Sequence, residues 1–141
     1  MSESPKHQYV GRVLFVDKDI TMRNVMALIL RRDQFQVVTL PSAEDGLAQM
    51  KTDDPFDFVI SGFALPGMNG LSFLHHVAML SRRSVRILVS AGCDDSDGVN
   101  RSMREGHINR YVSKPFCFDT FRADLKNDLE GFNLTQHLNP D

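Results

Sequence analysis

Residues 57–70 read Asp-Phe-Val-Ile-Ser-Gly-Phe-Ala-Leu-Pro-Gly-Met-Asn-Gly, and this stretch predicts a buried strand, a loop and the start of a helix. The apolar run Phe58–Ile60 is typical of a strand, and a proline and two glycines break the chain after it. Helical spacing of apolar residues resumes at Leu71. Because open parallel sheets bind ligands beyond the carboxyl ends of their strands, Gly62 should lie at the centre of the site. That residue has no side chain with which to do chemistry.

Composition limits the possible classes of function. The chain has 141 residues, of which 42% are hydrophobic and 24% charged, and these values are typical of one globular domain. A net charge of −2 gives no electrostatic reason to bind nucleic acid or an anionic membrane. The sequence shows neither a run of ~20 apolar residues nor a signal peptide, so we expect a cytoplasmic protein. Cys93 and Cys117 are accordingly expected to be free thiols.

Working outward from this stretch, apolar runs alternate with helical patterns along the whole chain. The predicted strands are Val10–Val16, Gln36–Leu40, Phe56–Ser61, Val85–Ser90 and Arg110–Ser113, and an amphipathic segment follows each of them. Strands that are apolar on both sides predict a parallel sheet covered by helices on both faces. The sequence therefore predicts an α/β three-layer sandwich with strand order 2-1-3-4-5.

The predicted domain occupies residues 10–130, after a disordered lead-in at 1–9 and before a tail or truncated linker at 131–141. Within it, the fourth helix has only Val99 and Met103 as an apolar pair. We therefore expect this helix to be loosely held and largely solvated.

Five segments carry a resemblance to a known family. They are Val13–Asp17, Phe56–Ser61, Leu65–Gly70, Ile87–Ala91 and Tyr111–Phe116. In this order and spacing, over roughly residues 10–130, they resemble a response-regulator receiver domain of bacterial two-component phosphorelay signalling. The resemblance implies a flavodoxin-like (βα)5 fold.

A finer resemblance concerns the sub-family. The run Val85–Leu88, together with Glu105–Tyr111, is similar to receivers attached to HD-GYP-type cyclic-di-GMP phosphodiesterases.

The resemblance also implies roles for individual residues. The phosphoacceptor aspartate would fall at Gly62, and the acidic Mg²⁺ pocket would fall at Asp17 and Lys18, with Asp19 beside them. The residues that contact the phosphoryl group and switch with it would be Ser90, Tyr111 and Lys114, and Pro115 would follow a cis peptide bond. The scaffold and switch residues are therefore present, whereas the acceptor is missing and a lysine replaces one metal ligand.

These substitutions predict that the domain binds no cofactor and holds Mg²⁺ weakly or not at all, since that ion needs oxygen ligands. The Lys18 ammonium could instead lie beside Asp17. Other acceptors are poorly placed: Asp57 lies ~16 Å from the cleft at the start of its strand, and Ser61 points to the other side of the sheet. Asp19 is the best remaining carboxylate.

Histidine offers no alternative site. His75 and His76 point about 100° apart on the third helix, so they do not form a natural metal-ligand pair. His107 is expected to be a loop residue.

We therefore expect a pseudo-receiver that has no enzymatic activity and acts by binding a sensor kinase or an output protein. Its predicted contact face, which could also form a homodimer, combines the fourth helix, fifth strand and fifth helix. One alternative is a receiver that accepts a phosphoryl group on a non-standard residue, stabilised by Ser90 and Lys114. Another is a small-molecule-binding flavodoxin-like module, although no glycine-rich phosphate loop supports it.

Overall fold

The computed structural model describes residues 8–52, 54–92 and 95–138, and within them five strands alternate with five helices. In chain order these are β1 (Gly11–Val16), α1 (Ile20–Arg32), β2 (Phe35–Leu40), α2 (Ala43–Thr52), β3 (Phe58–Gly62), α3 (Gly70–Leu80), β4 (Val85–Ser90), α4 (Ser96–Arg104), β5 (Arg110–Ser113) and α5 (Phe118–Leu138). Each predicted strand is present. Residues 1–7 of the expected lead-in lie outside the described residues.

All five strands are parallel, and their order is β2-β1-β3-β4-β5, as predicted. The register pairs Val16 with Ser61 and Gly62 with Val89, so β1, β3 and β4 end side by side. A site at this edge of the sheet therefore draws on the loops that follow several strands.

Apolar side chains cover both faces of the sheet, which explains why the strands read as continuous apolar runs. On the face covered by α1 and α5, the buried residues include Phe15, Met26, Leu30, Ile60, Ile87, Phe121 and Leu125. On the face covered by α2, α3 and α4, they include Leu14, Val59, Phe73, Leu74, Val77, Leu88 and Ile108. The two apolar layers make the domain a three-layer sandwich with its loops free for function.

Side-chain caps and one close backbone approach fix the helix starts next to the sheet edge. The Asp19 carboxylate accepts a hydrogen bond from the Thr21 backbone N–H at 2.9 Å, and the Asn69 side chain accepts one from the Ser72 N–H at 2.9 Å. A Cβ atom at Gly70 would collide with the carbonyl oxygen of Gly62. Only glycine lets α3 begin this close to the end of β3.

Helix α4 is held by few residues, as expected, but its predicted apolar pair is only half right. Val99 is 5% exposed, whereas Met103 is 41% exposed. The other buried residues of the helix are Gly98 and Ser102. Small residues let α4 lie close to its neighbours while most of its surface faces solvent.

Helix α5 differs from the sequence-based prediction in its length. It continues past the expected boundary at residue 130 and ends at Leu138, so most of the segment 131–141 is helical. Arg122 fastens the first half of α5 to the end of α1, since its Nε and Nη2 atoms donate to Asp33 at 2.7 and 2.8 Å. Among the described helices, none has the length and apolar character needed to cross a bilayer.

Candidate functional site

The carboxyl ends of four strands enclose a cleft of about 370 Å³. It is lined by residues that follow β1, β3, β4 and β5, as the strand order predicts. They include Asp17, Lys18, Asp19, Gly62, Phe63, Ser90, Ala91 and Lys114. The structure thus gathers most of the sequence-predicted site residues into one place.

Asp17 is the best-buried charged group of the cleft, with a side chain that is 5% exposed. Its Oδ1 atom accepts a hydrogen bond from the backbone N–H of Asp19 at 2.9 Å, and its Oδ2 atom lies 3.3 Å from Lys114 Nζ. Arg23 donates to its backbone carbonyl at 2.6 Å. The carboxylate is therefore held at both oxygens by groups of the protein itself.

Gly62 lies directly beneath this carboxylate. A Cβ atom added to Gly62 would lie 2.9 Å from Asp17 Oδ2 and 3.3 Å from Asp17 Cγ, and the first distance is too short for a real contact. The Asp17 carboxylate thus occupies space that a side chain at position 62 would need.

Lys18 does not take the position expected for it. Its side chain is exposed, and within the described part of the chain it forms no ion pair with Asp17. The cation that pairs with Asp17 is Lys114, which approaches from the loop after β5. Neighbours in sequence point differently at the end of a strand, so Lys18 turns outward while Asp17 turns into the cleft.

Ser90 and Tyr111, the expected switch residues, differ in how deeply their side chains are buried. The Ser90 hydroxyl donates to the backbone carbonyl of Gly92 and is turned back on its own loop. Tyr111 is half-buried and packs against the apolar layer beneath α3 and α4. The peptide bond between Lys114 and Pro115 is cis, as the resemblance implies.

The two other candidate acceptors stay out of the cleft. Asp57, at the opposite end of β3, accepts a hydrogen bond from the Arg12 backbone N–H at 2.8 Å. The Ser61 hydroxyl is fully buried and donates to the Gly62 carbonyl at 2.7 Å. Both are committed to structural contacts, in agreement with the alternation along the strand.

Comparison with known proteins now decides the family. The family model for the response regulator receiver domain matches residues 13–126. The chain belongs to this family. A "Transcriptional regulatory protein CseB" from Streptomyces coelicolor is 36% identical over 120 residues, which cover 85% of this chain and 50% of that protein. This receiver spans about half the length of the first curated relatives it matches.

Two further similarities concern proteins of similar size. A "Probable chemotaxis protein CheY" from Rhizobium etli is 30% identical over 118 residues, which cover 82% of this chain and 89% of that protein. The solved signal receiver domain of an HD domain-containing protein from Pseudomonas fluorescens Pf-5 superimposes with a TM-score of 0.79 at 24% identity. That match covers 90% of this chain and 92% of the other, and it shows a shared fold.

The residues of this cleft offer few of the oxygen ligands that the Mg²⁺ ion implied by the family needs. Of the two nearest carboxylates, Asp17 is paired with Lys114 and Asp19 caps α1. Position 62 offers no side chain, and Lys18 is a hydrogen-bond donor that provides no oxygen ligand. Within the described ranges, no group of three or more acidic, histidine or cysteine residues could hold a metal.

An apolar hollow of about 500 Å³ adjoins the cleft and was missed by the sequence analysis. It shares Ala91 and Lys114 with the cleft and is otherwise lined by Met22, Pro115, Phe116 and Phe118. The signal in the sequence was the presence of Phe116 and Phe118 on either side of Cys117, and their rings contact each other with centroids 4.8 Å apart.

Arg86 is a further feature whose importance was not predicted from the sequence. Although it is 3% exposed, its guanidinium group donates to backbone carbonyls in the loop between α3 and β4 and in the loop between α4 and β5. Burial lowers the pKa of this guanidinium, and the nearby Arg82 lowers it further. An arginine inside an otherwise apolar strand was the signal for such a buried contact.

Proposed function

We propose that this receiver is a pseudo-receiver, which transmits a signal by binding other proteins and not by accepting a phosphoryl group at position 62. One observation carries the proposal: the Asp17 carboxylate fills the space above Gly62 and pairs there with Lys114. In the family, that lysine would contact the acceptor or its phosphoryl group. Here its ammonium already has a buried partner.

The balance of charge supports this proposal. The carboxylates of Asp17 and Asp19 and the ammonium groups of Lys18 and Lys114 line the cleft, so its formal charges cancel and no net negative charge is left to attract a cation. Phosphoryl transfer depends on positioning and on neutralising charge, and in this family Mg²⁺ would supply much of both. These side chains disfavour binding of Mg²⁺. In this proposal the cleft therefore lacks both the phosphoacceptor side chain and the metal ion that would promote the transfer.

Binding remains available to the domain, because its scaffold is complete. We propose a sensor kinase or an output protein as the partner, with contacts made by α4, β5 and α5. On this face Met103 and Arg104 are exposed and Tyr111 is half-buried. Val99 is buried and does not belong to the contact surface. In this proposal the domain catalyses no reaction of its own.

The sub-family resemblance leads to a narrower proposal about the rest of the pathway. We propose that the output is a phosphodiesterase of the HD-GYP type, either as a partner or in the same polypeptide. The fold shared with the receiver of an HD domain-containing protein is compatible with this assignment.

A second candidate function is phosphorylation on a non-standard residue. The geometry favours Asp17 over Asp19 for this role, because Asp17 Oδ2 points into the cleft toward Lys114 while Asp19 is exposed and caps α1. Attack by Oδ2 on a phosphoryl donor would form an aspartyl phosphate and break the bond to the donor's leaving group. The missing metal pocket weighs against this function.

Intact mass spectrometry after incubation with acetyl phosphate and Mg²⁺ tests the proposal. We expect no added phosphoryl group on the parent protein and one on the variant Gly62→Asp/Lys18→Asp, which restores both missing carboxylates. The single variant Gly62→Asp shows whether Lys18 alone disables the cleft. If the parent gains a phosphoryl group, the proposal is wrong, and loss of that gain in Asp17→Asn would establish the second candidate.

A further inference from the structure

A pair of histidines links α3 to α4 and to the loop that follows α4. The rings of His75 and His107 lie with their centroids 4.1 Å apart and their planes inclined at 49°. His75 Nε2 shares a hydrogen bond of 2.9 Å with the hydroxyl of Ser102 on α4. The backbone N–H of His107 donates to the carbonyl of the same serine at 2.9 Å. Both histidines therefore hold one residue of α4.

This link matters because α4 has few others. Its buried residues are Gly98, Val99 and Ser102, and the remaining side chains of the helix are exposed. Of these three, only Ser102 has a polar side chain, and His75 is its hydrogen-bond partner. A change in the histidine pair acts directly on the attachment of the helix.

The surroundings of the pair oppose positive charge. Burial lowers the pKa of His75, and the nearby His107 lowers it further, while Glu105 opposes the shift. His107 Nδ1 is buried without a hydrogen-bond partner and lies 3.6 Å from Glu105 Oε1. From β4, Arg86 Nε donates to the backbone carbonyl of His107 at 2.9 Å.

The remaining nearby histidine is of a different kind. His76 is exposed and its Nδ1 bonds to the carbonyl of Ser72 at 2.8 Å, within α3. Among the groups the structure describes, Glu105 is the carboxylate that lies near both rings. Burial and the neighbouring ring together disfavour a proton on His75 while the rings remain stacked.

We propose that the His75–His107 pair is a pH-sensitive link that loosens α4 from α3 as the pH falls below neutral. An imidazole in water has a pKa of about 6.5, and His75 in contact has a lower one. The detached state therefore binds more protons than the attached state. By linkage, the attachment is fully present above about pH 6.5 and weakens as the pH falls through that value.

This inference goes beyond the proposed function and does not depend on the state of position 62. Because α4 belongs to the proposed contact face, its attachment would set how well that face is ordered. Acidification would act on binding from a point outside the cleft.

Amide hydrogen exchange tests the link. The rate for residues 96–104 is divided by the rate for α1 at pH 7.5 and at pH 5.5, so that the intrinsic pH dependence of exchange cancels. In the parent protein this ratio should rise several-fold at the lower pH, with about tenfold as the limit at one pH unit below the pKa of a free imidazole. The variant His75→Gln should lose this dependence, His107→Gln should reduce it, and His76→Gln should keep it.

The parent protein alone provides a second readout by NMR. The chemical shifts of α4 amides should follow the protonation of the His75 ring and not that of the His76 ring. A ratio that does not change with pH in the parent would overturn the proposal. So would α4 shifts that follow His76 or no histidine, or a pH dependence that survives in His75→Gln.

Discussion

At the scale of single residues, the proposed function depends on what lies above Gly62. The absent side chain leaves a space, and the Asp17 carboxylate fills it while contacting Lys114 at 3.3 Å. This arrangement makes position 62 more than a missing acceptor. It couples the glycine to the only buried carboxylate that the described cleft contains.

Replacing Gly62 by alanine should therefore destabilise the domain by about 1 kcal/mol. Alanine in a strand is usually favoured over glycine by roughly 0.5–1 kcal/mol, but here its Cβ must displace a buried carboxylate from two contacts, at a cost of about 1–3 kcal/mol. Urea denaturation measures the difference. Gly92→Ala is a matched control, because a Cβ there meets nothing within 4 Å. Equal effects of the two substitutions would show that the carboxylate moves aside freely.

The identity of these residues could be predicted from the sequence, but their contacts could not. Strand order alone brings Asp17, Gly62 and Lys114 to one edge. Sequence proximity suggested Lys18 as the partner of Asp17, whereas the structure has Lys114, which is 97 positions away. Which cation reaches a buried carboxylate depends on loop directions that only the folded chain defines.

At the scale of elements, the strands and helices follow from the apolar pattern, and the exceptions have physical causes. A tail or truncated linker was expected at residues 131–141, whereas α5 passes through Gly131 to Leu138. A glycine inside a helix costs about 1 kcal/mol, which lowers helix stability without ending the helix. Arg86 was unremarked because arginine usually indicates exposure, although here carbonyl groups surround it.

Arg86 joins two connections at one end of the sheet. Its Nη1 atom donates to the carbonyl of Ser84 at 2.7 Å in the loop after α3, and its Nη2 atom donates to that of Gly106 at 2.8 Å in the loop after α4. The same group also reaches the carbonyl of His107. The positions of α3 and α4 are thus tied together through one side chain of β4.

Replacing Arg86 by methionine should destabilise the domain by about 3 kcal/mol or more. Methionine keeps the apolar packing but leaves several buried carbonyl groups without a donor, and each such group costs about 1–3 kcal/mol. The midpoint of urea unfolding gives the change. The control is Arg83→Met, at an exposed position of the loop between α3 and β4. It should stay within about 0.5 kcal/mol of the parent. A small effect at Arg86 would mean that water replaces the guanidinium at little cost.

At the scale of the whole molecule, the sheet order and the covering of both faces were predictable because few topologies suit five alternating units. The function of the cleft is harder to predict from the sequence than the fold. The sequence identified a damaged site, but the neutralisation of Asp17 by Lys114 emerged only from the fold. The partner surface is harder still, since exposed residues such as Met103 carry no pattern of their own.

Self-association tests the proposed contact face in the intact protein. If the face formed by α4, β5 and α5 makes a homodimer, sedimentation equilibrium should show a dimer whose dissociation constant rises at least tenfold in Met103→Asp, because a charge would be buried at the contact. Met79→Asp is the matched control, since Met79 is 86% exposed on α3 and lies outside that face. If Met79→Asp weakens the dimer and Met103→Asp does not, the association uses α3 instead. If the parent protein stays monomeric at all concentrations, the homodimer is ruled out. The face would then bind only other proteins.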